Sequence, residues 1–278
     1  VTERIDAHHH LWKYTAAEYG WLDGPMARLQ RDFLPPDLTR EMAAAGIDGA
    51  VVVQARQTVD ETRWLLDLAD SCETIRGVVG WAPIAGPDFP AMMEEFAERP
   101  KLKGLRHVIQ GERDEHYILR EDFNAGIRAI EGGGLVYDIL IYERHLPQTI
   151  EFVDRHPKQA FVLDHMAKPL IAAGEVEPWA ARMRELAQRE NVWCKVSGLS
   201  TEANWTAWNA ETMRPYLDVV VEAFGPRRLM AGSDWPVCLV ASQYRQWFEM
   251  LRNYFAGFST EEQNAVFGGT AIEVYGLT

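Results

Sequence analysis

At 278 residues and 31.6 kDa the chain has the length of one large domain or two average ones, and α/β barrels use such a length for a single domain. With 47% of its residues apolar and 25% charged it carries enough hydrophobic material for an unstapled core, which excludes a disordered chain. A formal net charge of −13, with no stretch enriched in Lys and Arg, excludes a nucleic-acid partner and argues against an anionic membrane surface. The three cysteines, Cys72, Cys194 and Cys238, are odd in number and lack C-x-x-C spacing, so neither a disulfide framework nor a thiolate zinc site is expected. The residues from Val1 run straight into the strand-like Arg4-Ile5-Asp6-Ala7 and no apolar run approaches the roughly 18 residues that span a bilayer, so neither a signal peptide nor an anchor is expected. The expectation is a cytoplasmic protein.

In chain order, short β-branched runs alternate with longer segments of helical period, the pattern of parallel βαβ units. Strands are predicted at Arg4–His10, Gly49–Ala55, Ile75–Ile84, Leu102–Ile109, Leu135–Ile141, Gln159–Met166, Asn191–Leu199 and Arg228–Pro236. Between them, Thr58–Cys72 places Val59, Thr62, Leu65, Leu66 and Ala69 on one helical face. Leu119–Gly132 runs into three glycines, His145–His156 stops at Pro157, and Trp179–Glu190 aligns Met183, Leu186 and Ala187. Ser242–Ala256 and Thr260–Tyr275 complete the set. Eight such units predict a single (β/α)8 barrel spanning residues 1–278, with the long, proline-bearing segment from Trp12 to Pro36 folded as a cap over its mouth. A doubly wound open sheet alternates in the same way, but its Gly-rich first turn is missing, and the first strand ends instead in Asp6-Ala7-His8-His9-His10.

Catalytic groups of a barrel lie at the C-terminal ends of its strands. His8 and His10, two apart on one strand, point to the same face, and two buried imidazoles there need a metal, a carboxylate or a substrate to offset their desolvation. Arg106-His107, Asp164-His165 and Ser233-Asp234-Trp235 end three further strands, which makes His8, His10, Arg106, His165 and Asp234 the candidate catalytic set. His165 has a competing role as the hydrogen-bond partner of Asp164, and Lys168 the competing one of a surface lysine. Trp12, Trp81 and Trp235 offer flat apolar faces suited to a sugar ring. Gln54, His107, Asp138, Tyr142, Lys195 and Ser197, at other strand ends, can hydrogen-bond its hydroxyls.

These segments resemble the amidohydrolase superfamily, and within it the group of L-fucono- and L-rhamnonolactonases and 2-pyrone-4,6-dicarboxylate lactonases. The motifs that carry the resemblance are Ile5 to Trp12, Gly104-Leu105-Arg106-His107, Leu163-Asp164-His165 with Lys168-Pro169, Lys195 to Leu199, and Gly232-Ser233-Asp234-Trp235-Pro236. Superfamily members hold one or two divalent metals; here Arg106 and Asp138 stand where bridging or histidine ligands would, which implies at most one Zn2+ or Mn2+ on His8, His10, His165 and Asp234. The lactonase group is expected to need none strictly, and no organic cofactor is implied. The resemblance implies hydrolysis of a small-molecule lactone, with Asp234 as general base and His8, His10, His165 and Arg106 around the oxyanion. A neutral sugar lactone suits these strand ends better than a dicarboxylate, for which Arg56 and Arg113 would have to be recruited. The rival readings are a metal-dependent decarboxylase on the same barrel and a non-catalytic binding module. A homo-oligomer is left open.

Overall fold

Parallel pairing joins every consecutive pair of strands in the computed structural model, which describes residues 2–278. The eight strands are β1 (Ile5–His9), β2 (Gly49–Val53), β3 (Ile75–Gly80), β4 (Leu102–His107), β5 (Val136–Ile139), β6 (Phe161–Leu163), β7 (Val192–Val196) and β8 (Leu229–Ala231). They follow one another round the sheet in sequence order. Beyond their ends the ring is closed: His9 bridges Trp235 in parallel, His10 N donates to Trp235 O at 2.6 Å and Asp234 N donates to His8 O at 2.8 Å. The fold is the (β/α)8 barrel expected from the alternation of elements.

Helices wrap it in chain order: α1 (Pro35–Ala45), α2 (Val59–Ser71), α3 (Phe89–Phe96), α4 (Glu121–Ile130), α5 (Leu146–Arg155), α6 (Trp179–Leu186), the short α7 (Leu199–Glu202), α8 (Ala210–Phe224), α9 (Tyr244–Phe255), α10 (Thr260–Asn264) and α11 (Thr270–Tyr275). Their starts follow ordinary capping chemistry. Thr58 accepts from Glu61 N before α2, Asn209 accepts from Thr212 N before α8, and Ser259 and Glu262 form a reciprocal box at α10. Among the described residues no helix is long and apolar enough to cross a membrane.

Every predicted strand is present but shorter at its C-terminal end, because the chain leaves the sheet to form the mouth. Asp164, His165 and Met166, expected at the end of a strand, lie in a tight turn, Asp164–Ala167, and Gly198 takes a left-handed conformation that starts α7 where strand was expected. The segment from Trp12 to Pro36 does fold as a unit. Trp12 bridges Phe33, and its ring packs against those of Tyr19, Trp21 and Phe33. Buried Glu61 of α2 fixes the β2 loop by accepting from Ala55 N and Arg56 N at 3.0 and 2.7 Å, and Arg56 of that loop pairs with Glu18 of the unit.

Inside the barrel the lower layer is apolar, built from Val51, Val53, Val79, Val136, Val162 and Met230, as both-face burial of parallel strands demands. Tyr275 and Leu277 join that cluster from the opposite end of the chain and plug the floor. The Tyr275 hydroxyl reaches upward and donates to Asp138 at 2.8 Å. Tyr275→Phe should therefore lower stability by about 1–3 kcal/mol, the cost of leaving a buried acceptor short of a partner. Urea unfolding checks this, and an unchanged midpoint would remove the hydroxyl from the list of floor contacts.

Candidate active site

The mouth is organised on the seam where β8 returns to β1. Asp6 accepts from Ser233 N at 2.8 Å and from its hydroxyl at 2.6 Å, which pins the loop carrying Asp234 to the first strand. Burial lifts the Asp6 carboxyl to about 6 despite those hydrogen bonds. Asp234 itself sits at φ +57°, an uncommon conformation for a residue with a side chain, and it aims its carboxylate inward.

Three imidazoles meet that carboxylate. Asp234 Oδ1 lies 3.3 Å from His10 Nε2, 3.8 Å from His8 Nε2 and 3.9 Å from His165 Nε2. A β-bulge between Asp6 and His9 lets His8 and His10 share the inner side, with their Nε2 atoms 3.2 Å apart. Their other ring nitrogens are committed elsewhere: His10 Nδ1 donates to Val53 O at 2.8 Å and His8 Nδ1 donates to Asp164 Oδ1 at 3.2 Å. Those bonds set the tautomers, so both Nε2 atoms present lone pairs to one another and to the carboxylate. Such an arrangement repels itself unless a cation or a shared proton lies among the atoms. Burial drives the His8 imidazole well below its ordinary value against the pull of Asp164, and drives His165 to about 4 against Asp234 and Asp164. Burial would raise Asp234, but His165 and His10 hold it below the usual carboxylate value, so it is ionised at neutral pH. His8, His10 and Asp234 lie close enough to ligate one ion, as do His8, Asp164 and His165. Each group joins imidazole nitrogens to a carboxylate oxygen, the donor types that Zn2+ takes, so the residues present fit a divalent ion.

Beneath the rings lies a buried layer of charge. Lys195, with no exposed surface, pairs with Asp138 and lies 3.1 Å from Asp164 Oδ1. Arg106 Nη1 donates to Asp164 Oδ2 at 2.8 Å and lies 3.4 Å from His8 Nε2; Nη2 donates to Gln54 O and Oε1 at 2.6 and 2.9 Å. Burial acts to raise Asp164, yet Lys195, His8 and Arg106 together hold it well below the carboxylate range. Burial, with Asp164 adding to it, raises Asp138 against Lys195.

His165 is held by strain as well as by contact. His165, Met166, Ala167 and Lys168 all have φ between +51° and +57°, a turn of left-handed helix that costs roughly 1–2 kcal/mol per residue. It swings the ring back over the mouth, where Nδ1 meets the Ser197 hydroxyl at 2.8 Å. The partner of His165 is thus Ser197, and Asp164 serves His8 instead, so the competing role of His165 as the hydrogen-bond partner of Asp164 is not the one it takes.

The other predicted groups divide. Trp81, half-buried, donates from Nε1 to His107 Nδ1 at 3.2 Å, and His107 Nε2 donates to Glu112 at 2.7 Å, so the indole is held in a fixed pose. Tyr142 is half-buried above β5. Trp12 and Trp235 are wholly buried in the cap packing around Phe33, with Trp12 Nε1 bound to Arg31 O. Their rings are spent on protein, contrary to the expectation that they stack on a sugar. Asp138 and Lys195 satisfy each other below the mouth, so neither is positioned as a free hydroxyl partner, whereas Gln54 spends its two oxygens on Arg106 and keeps a buried, unpartnered Nε2. Three terminal N–H groups of Arg106 are spent on Asp164 and Gln54 and the fourth faces His8 Nε2 at 3.4 Å, so the buried Nε–H is the donor left without a protein partner. Arg56 is paired with Glu18 and Glu61, and Arg113 is exposed.

Imidazoles and an ionised carboxylate converging at the C-terminal mouth of a (β/α)8 barrel define an enzyme of the water-activating barrel class. The sequence profile of the family described as Amidohydrolase matches residues 5–277, and the chain belongs to that family. Proteins named L-fucono-1,5-lactonase from Burkholderia multivorans and Burkholderia ambifaria are 39% and 37% identical to it, over 99% of this chain and 96% of theirs. A solved amidohydrolase from Burkholderia multivorans with bound zinc superposes with a TM-score of 0.94 at 40% identity, covering 99% of this chain and all of that one.

Lys195→Met should cost about 3–5 kcal/mol, since it leaves Asp138 and Asp164 buried with one cation fewer. Denaturant unfolding checks it; a loss below 1 kcal/mol would mean that Arg106 alone neutralises the layer.

Proposed function

We propose that the protein hydrolyses a neutral sugar-type lactone, of the L-fucono- or L-rhamnonolactone kind, to the open-chain hydroxy acid. The observation that carries this reading is the ionised Asp234 carboxylate, turned through Oδ1 toward three imidazole nitrogens at 3.3 to 3.9 Å. The full-length similarity to the two Burkholderia lactonases supports the substrate class. The paired or exposed state of the arginines disfavours a dicarboxylate, which would call for several free guanidinium groups at the mouth.

Asp234 keeps Oδ2 for a water molecule and takes its proton as the water oxygen attacks the ring carbonyl carbon. When the ring C–O bond breaks, the same carboxyl returns the proton to the leaving alkoxide, so the base is regenerated. An ester leaves more readily than an amide, which keeps the demand on the site modest. A divalent ion such as Zn2+ or Mn2+, held by His8, His10, His165 and Asp234, would supply Lewis-acid polarisation of the carbonyl. Asp164, held by Arg106 and Lys195, keeps the His8 Nε2 lone pair aimed at the centre, and we assign Arg106 to this positioning role in place of the oxyanion.

Titrating chelator-stripped protein with Zn2+ in a calorimeter should reveal a single site per chain, weakened at least about tenfold in His10→Ala, since losing a ligand exceeds losing one of its supports. Two sites, or undiminished affinity in the variant, would refute the assignment. With L-fucono-1,5-lactone and a pH indicator, the native protein should release acid. Asp234→Asn should lower kcat by about 10²–10⁴ with its circular dichroism unchanged. Full turnover in that variant removes Asp234 as base, and release of carbon dioxide from an aromatic acid, with no lactone opened, would favour a decarboxylase.

A further inference from the structure

Two lysines approach the site from neighbouring strands, and they are used in opposite ways. Lys195 is sealed and saturated by two carboxylates. Lys168 ends the left-handed turn that begins at His165, with its backbone N–H on His165 O at 2.9 Å, so its position is bound to that of the catalytic ring. Its Nζ lies 3.6 Å from Glu202 Oε1, near enough for mutual neutralisation and too far for a good hydrogen bond. It stands 5.4 Å over the Tyr142 ring. The Lys168 and Glu202 side chains retain 17% and 22% of their exposure. An ion pair built only for stability would close as Lys195 does.

Glu202 ends α7, and α7 is set hard against the catalytic ring: a Cβ on Gly198, at φ +69°, would lie 2.5 Å from His165 Nδ1. The same short helix packs on the turn that follows Asp234, Val237–Val240. Donor, acceptor and aromatic wall therefore stand on three successive loops beside the base. The pair offers unspent N–H bonds and unspent carboxylate lone pairs to one small volume, and a hydroxyl, which both donates and accepts, is the group that uses the two together. A carboxylate ligand would instead face Glu202 and Asp234.

We propose that Lys168 and Glu202, with Tyr142 as the flat wall, bind hydroxyl groups of the substrate and so set a preference for hydroxylated lactones over bare ones. This rests on the lactonase reading and specifies how the sugar is recognised. The test compares L-fucono-1,5-lactone with δ-valerolactone, a six-membered lactone without hydroxyls, on the full chain and on Lys168→Met and Glu202→Gln. In each variant the ratio of kcat/KM for the sugar lactone to that for δ-valerolactone should fall at least about tenfold, through KM, as expected for the loss of a hydrogen bond to a charged group. Because the ratio is taken within one protein, a reduced folded fraction cancels. Equal losses on both lactones, or none on either, would overturn the proposal. Should the native protein open neither lactone, the lactonase reading falls, and calorimetry with L-fucose, which bears hydroxyls and no ester, decides this point separately. Binding by the native protein that weakens at least about tenfold in both variants upholds the hydroxyl site, and binding that is equal in all three or absent from the native protein overturns it.

Discussion

The buried ammonium of Lys195 governs how the rest of the site can be arranged, because a charge without water must be met by protein on every side. It draws Asp138 and Asp164 into the barrel interior, and Asp164 in turn fixes the tautomer of His8 and anchors Arg106. Asp138 is completed from below by Tyr275. A polar line thus runs from the floor plug to the imidazoles of the mouth through a layer that, elsewhere in the barrel, is filled by valine. Replacing it with apolar side chains could leave the barrel as stable, but the direction of the His8 lone pair would be lost.

Around that line the site combines two kinds of constraint. Hydrogen bonds direct the outer ring nitrogens, and backbone strain places His165 and Asp234, both of which lie at positive φ without being glycine. Strain of this sort persists only where packing over-determines it. Here the packing comes from the Asp6 and Ser233 contacts on one side and the close approach of Gly198 on the other. The result is a cluster of lone pairs facing one another, stable chiefly in company with a positive charge, which is the state a hydrolytic centre exploits.

Much of this was legible in the amino-acid sequence. Eight apolar runs in alternation with helical segments lead to the barrel, and the His8, His10, His165 and Asp234 side chains do converge. Periodicity fails where geometry departs from the regular element. The expected strand ends run too long because nothing in the sequence around His165, Met166 and Gly198 marks where the backbone turns left-handed. Trp12 and Trp235 sit at strand ends as a sugar platform would, yet the cap they help to build consumes both rings. Glu202 left no mark at all, being one acid on a four-residue helix inside a segment that borders a predicted strand. Tyr275 is likewise an ordinary aromatic of an amphipathic helix until the floor of the barrel is closed over it.

The seam between the first and last strands has a consequence for how the molecule comes into being. Ser233 and Asp6, whose hydrogen bond locks the loop carrying Asp234, are 227 residues apart, so bringing them together is among the most expensive loop closures available to this chain. An incomplete nascent barrel, even with seven units stacked, holds the two imidazoles of its opening strand with Asp164 behind them and lacks Asp234, which arrives only with the last strand. Activity should therefore emerge in one step at the end of assembly, and a nick that frees the last quarter would silence the enzyme while leaving most of its secondary structure in place.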